Sequence, residues 1–85
     1  MPVVFRYRGF RFFFYSNEGS PREPFHVHVR GAEGEAKFWL KPLVRLADSE
    51  GLDARTQKEL LGVVEQNVEL IERIWNEHFG HGGSL

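Results

Sequence analysis

The 85-residue chain contains no cysteine. A disulfide scaffold, a Cys-ligated zinc site and a thiol nucleophile are therefore excluded. No apolar run approaches the roughly 18 residues that a membrane-crossing helix needs. No charged-then-apolar leader opens the sequence, so a cytoplasmic protein is expected. The glycine loop Gly31-Ala32-Glu33-Gly34 is acidic and hairpin-sized, unlike a phosphate cradle. Ser16, Ser20 and Ser49 lie outside any nucleophile-elbow pattern. No internal repeat or low-complexity segment is visible, and no motif calls for a cofactor.

What is present is globular. Apolar content of 41% with 27% charged residues suits a chain that folds, and 85 residues allow one domain, residues 1–85. Charge is unevenly spread. Residues 1–45 hold eight Lys or Arg against four acids, and residues 46–85 hold three against eight. Such asymmetry implies two faces of different sign, either serving different partners or lying against one another.

Ten of the twelve aromatics precede residue 46, in a half that alternates with period two between Gly and Pro. This is strand patterning. Strands are expected at Val3 to Tyr7, Phe10 to Ser16, Phe25 to Arg30 and Glu35 to Leu40, with a tight turn at Arg8-Gly9. Residues 17–24 read as a polar loop, and Pro42 ends the fourth strand's simple pairing. Residues 43–52 are ambiguous between an edge strand and a helical turn. Asp53 is a good N-cap for a helix running to Phe79, with Gly80 as C-cap. Leu61, Val64, Val68, Ile71 and Trp75 give that helix its apolar stripe. At roughly 39 Å it is about twice the length of a strand, so it must overhang, bend near Gly62, or pack on another chain. The expected fold is α+β: a four-stranded, mainly antiparallel sheet (residues 1–42) with one long C-terminal helix (53–79) on one face and a loose tail (80–85).

Strand alternation separates two sheet faces. Val3, Phe5, Tyr7, Phe10, Phe12, Phe14, Phe25, Val27, Val29, Ala36, Phe38 and Leu40 form an apolar face for the helix. The opposite face collects Val4, Arg6, Arg8, Arg11, Phe13, Tyr15, His26, His28, Arg30, Glu35, Lys37 and Trp39. One helix covers one face, so this second face is open. Its cations suit phosphates or acidic side chains, and Phe13, Tyr15 and Trp39 offer stacking surfaces. Protein interfaces enrich the same residues, and antiparallel sheets also commonly leave such a face in water. His26 and His28, two apart on a strand, point the same way. They form a candidate acid–base pair for metal-independent RNA cleavage, with Arg30 or Lys37 steadying the phosphate. With Glu23 as a third ligand they form a candidate metal site, for which Glu35 and His78 are alternatives.

The strings Phe10-Arg11-Phe12-Phe13-Phe14-Tyr15-Ser16-Asn17-Glu18-Gly19, Glu23-Pro24-Phe25-His26-Val27-His28-Val29 and Ala36-Lys37-Phe38-Trp39-Leu40 resemble the small prokaryotic family called domain of unknown function 4160. The helix, with Glu65, Asn67, Trp75 and Phe79, is similar too. Phe25 departs from that pattern, where the family often carries a second proline. The resemblance carries over no catalytic residues. It implies a toxin–antitoxin-like component with a dedicated protein partner, of the type called domain of unknown function 2442, encoded beside it. RNA or DNA on the basic and aromatic face is a second ligand class. A homodimer is the expected state when no other partner is present.

Overall fold

The computed structural model describes residues 3–15 and 24–79. The expected 17–24 loop lies outside these apart from Pro24, and so do Ser16, Gly80 and the tail. The described residues form five strands: β1 (Val3–Tyr7), β2 (Phe10–Phe13), β3 (His26–Arg30), β4 (Glu35–Trp39) and β5 (Arg45–Glu50). They pair in chain order, every pair antiparallel. Two helices follow, α1 (Ala54–Gln66) and α2 (Val68–Phe79). The class is α+β as expected, but the sheet has a fifth strand and the single helix is two.

Of the two readings of residues 43–52, the edge strand holds; the sequence left it ambiguous because β5 is polar and nearly all of it is exposed. It has one neighbour, so it needs little apolar alternation. Its ladder with β4 passes from Lys37↔Asp48 to Phe38↔Leu46, leaving Ala47 as a bulge. A second bulge lies on the opposite edge. Val3 pairs with Phe13 and Phe5 with Phe12, so Val4 is the extra residue. That extra residue reverses the expected faces at the start of β1. Val4 packs on the core, while Val3 is exposed on the side of Phe13. The β1–β2 turn is as read: Arg8 and Gly9 have φ of 49° and 83°, the two left-handed residues of a tight hairpin.

The helix breaks at Asn67, not at Gly62. In a continuous helix the Val63 carbonyl would accept from the backbone N–H of residue 67. Here the Asn67 side-chain Nδ2 takes that carbonyl at 2.8 Å, and the Asn67 N–H turns to Val64 at 3.0 Å. A short amide competing with the backbone ends the helix, and α2 restarts when the Ile71 N–H reaches the Asn67 carbonyl at 2.9 Å. The Asp53 carboxylate caps α1 by accepting from the Thr56 N–H at 2.8 Å.

The core is the face read from alternation. Phe10, Phe12, Phe14, Val27, Val29, Ala36, Phe38 and Leu40 bury against Leu52, Leu60, Val64 and Ile71. The break lets α2 follow the sheet, so its end is covered within the chain. Trp75 lies 5.0 Å from the Phe14 ring and 5.4 Å from Phe25, and Phe79 lies 4.4 Å from Trp75. Neither residues 43–52 nor a second chain is needed to cover the helix end.

Candidate functional site

With both helices on one side, the other side of the sheet carries rows of facing residues. The row nearest the hairpin turns runs Arg6, Arg11, Arg30, Glu35, Glu50, one residue per strand from β1 to β5. The next runs Val3, Phe13, His28, Lys37, Asp48. A third runs His26, Trp39, Arg45 across β3 to β5. The cations of the first row thus sit on β1–β3 and its acids on β4–β5.

Arg30 stands at the boundary. Its Nε donates to Glu35 Oε1 at 3.0 Å, and a terminal nitrogen donates to the Tyr15 hydroxyl at 3.3 Å. Arg6 and Arg11 face each other directly across the β1–β2 ladder, and Arg11 also faces Arg30. Like charges opposite one another weaken a sheet. Arg6, Gly9, Arg11, Arg30, Gly31 and Ala32 surround a shallow hollow. Arg8 stands apart from these three: it pairs with Glu59 of α1 at 3.6 Å, on the helix side.

A second hollow of about 200 Å³ lies over the middle row, lined by Phe13, Tyr15, His28, Lys37, Asp48 and Glu50 among others. Phe13 forms its floor, 1% exposed, with its ring 5.1 Å from Tyr15 and 5.6 Å from His28. Lys37 Nζ lies 4.5 Å from the Trp39 ring centroid, a cation–π contact. Trp39 and Tyr15 remain partly exposed.

The two histidines divide. His26 is fully buried, and its Nδ1 donates to the Pro24 carbonyl at 2.7 Å. The carbonyl can only accept, so Nδ1 carries a proton. Its ring packs among His28, Trp39 and Trp75 at 5.0–5.7 Å. His28 is half-buried and opens on the hollow. Among the described residues no three His, Cys, Asp or Glu side chains gather in a way that would hold a metal ion. Glu23, the expected third ligand, lies outside the described residues. Asp48 and Glu50 were not anticipated at the face. They came with β5, and the only hint was their two-residue spacing in a polar run.

This geometry defines a small α+β domain whose antiparallel sheet is covered by helices on one side and presents a charge-divided surface on the other. Residues 9–76 match the family model described as Domain of unknown function (DUF4160), and the chain belongs to that family. No curated protein and no solved structure matches it. No helix among the described residues is long and apolar enough to cross a membrane.

Proposed function

We propose that the chain is the protein-binding component of a toxin–antitoxin-like module, and that it meets its partner on the open sheet face. The family resemblance supplies the module, with a neighbouring product of the domain of unknown function 2442 type as partner. The observation that carries the face is the row Arg6, Arg11, Arg30, Glu35, Glu50. A polyanion tracking across it would meet three cations and then two acids. A protein surface with the opposite division meets a complementary charge at every strand. This favours protein over RNA or DNA as the occupant.

The alternative of a metal-independent ribonuclease now rests on His28, because the buried His26 is committed through Nδ1 to Pro24. Glu35, Asp48 and Glu50 line the same hollow and oppose a phosphate there. Of the paired histidines on which the metal-site alternative is built, His28 alone opens on the hollow.

Expression in a bacterial host, alone and with the neighbouring gene, tests the proposal. Growth arrest relieved by the neighbour, with intact RNA, is the expected result, and arrest with degraded RNA favours the nuclease. The paired substitution Arg6→Glu with Arg11→Glu should abolish co-purification of the neighbouring product and leave the circular dichroism unchanged. Surface changes of this kind cost about 0.5 kcal/mol or less. Undiminished co-purification would sink the assignment of the face.

A further inference from the structure

The first row of the open face is its own electrostatic complement, and we infer that the face closes on a second copy of the chain when no other partner is supplied. This rests on reading the face as protein-binding and names an occupant for it. Across the sheet the first row reads plus, plus, plus, minus, minus: Arg6, Arg11, Arg30, Glu35, Glu50. Consider a two-fold axis parallel to the strands and passing between the two copies over β3. It turns the facing copy so that its β5 lies over β1 and its β4 over β2. Arg6 then meets the partner's Glu50, and Arg11 meets the partner's Glu35. Both contacts occur twice, as a two-fold interface requires. Arg30 falls on the axis and keeps its own Glu35 at 3.0 Å, a carboxylate it then shares with the partner's Arg11.

The charges also select this axis over the other face-to-face choice. A two-fold axis perpendicular to the strands lays β1 over β1 and β5 over β5, so an axis along the first row places like charge on like. Phe13 and His26 have almost no surface left to contribute. Contact therefore centres on the charged row, with the half-exposed Tyr15 and Trp39 behind it.

The size of the face sets the strength. Five strands at about 4.8 Å spacing, five residues long at about 3.3 Å each, present roughly 24 by 16 Å, or about 400 Å² of flat sheet per copy. That is about 800 Å² in total, below the roughly 1,000 Å² that stable specific interfaces clear, so the dimer is weak and sensitive to salt. It occupies the surface assigned to the neighbouring product, so the two associations exclude each other.

Sedimentation equilibrium of the full chain at roughly 100 µM and low ionic strength decides the matter. The wild type is expected to show a dimer that dissociates at high salt. Arg6→Glu alone and Glu50→Arg alone should each weaken association more than tenfold. An equimolar mixture of the two variants should restore it. In the mixed pair a new carboxylate at position 6 faces a new guanidinium at position 50, while the other contact stays native. A monomeric wild type overturns the inference, as do single variants that still dimerise or a mixture that stays monomeric. Co-purification of the neighbouring product is scored separately. A monomer that still binds it through Arg6 and Arg11 defeats only the homodimer. A dimer that obeys the charge swap and ignores the neighbour defeats only the module.

Discussion

The Tyr7 hydroxyl donates a 2.6 Å hydrogen bond to Glu59 Oε2, tying the edge strand β1 to helix α1. The bond holds the phenol above its usual pKa of 10.0, mainly because it favours the protonated donor, with desolvation and the Glu59 charge adding to it. The folded chain therefore keeps this proton to higher pH than the unfolded chain. Its contribution to stability is fully present below pH 10 and is lost as pH rises through the folded value. Thermal melts from pH 8 to pH 11 should show an alkaline loss that Tyr7→Phe flattens. An identical alkaline limb in the variant would assign it elsewhere.

Asp53 works in the opposite direction. The Thr56 N–H bound to its carboxylate lowers its pKa from 3.8. The folded chain then binds fewer protons than the unfolded one, so this contribution is present above about pH 3.8 and disappears as pH falls through the folded value. Asp53→Ala should lower the melting temperature at pH 7 and blunt the acid limb. Asp53→Asn should preserve most of the pH 7 stability, because Asn caps nearly as well as Asp, while losing the pH dependence.

Two glycines should respond oppositely to alanine. A Cβ on Gly62 meets nothing within 4 Å. Gly62→Ala in the middle of α1 should stabilise by about 0.5–1 kcal/mol, read in urea melts. A Cβ on Gly34 would run into the Glu50 carbonyl and come within 2.9 Å of Gly51. Gly34→Ala should destabilise by about 1–3 kcal/mol, because the hairpin loop and the end of β5 must separate.

His26 and His28 should separate in the same assay. His26→Ala removes a fully buried ring, takes the donor from the part-buried bond to the Pro24 carbonyl and opens a space among Trp39, Trp75 and His28, so a loss of about 1–3 kcal/mol or more is expected. His28→Ala trims a half-buried ring at the rim of a hollow and should cost less. Equal losses would mean that His28 is as structural as its neighbour.

How much of this was legible follows from which residues carry regular patterns. Alternation from Phe10 to Leu40 marks the core face correctly, because burial enforces period two along each strand. It fails at Val3 and Val4, where one inserted residue shifts the phase. The open face was legible only in part: Val4 and Arg8 lie on the helix side, and Phe13 and His26 are buried. Its rows were not legible, since they depend on cross-strand register, which turns and bulges decide. Its acidic half was hidden with β5, where an edge position relaxes the apolar requirement. Asn67 stood out within the helical stripe, yet its partner proved to be the helix's own Val63 carbonyl. The roles of the two histidines depend on burial, which His-Val-His spacing alone does not contain.

The bulges at Val4 and Ala47 fall one on each outer strand of the sheet. An outer strand is a row of unused donors and acceptors on which a stray chain can crystallise into a growing ribbon. A kink in mid-strand throws such a newcomer out of step, and Arg6 on one rim with Arg45, Asp48 and Glu50 on the other makes the mismatch costlier. The protein can thus carry a chemically sticky broad side without polymerising along its rims. Straightening either rim, by deleting Val4 or Ala47, would convert a well-behaved monomer or dimer into a seed for fibres.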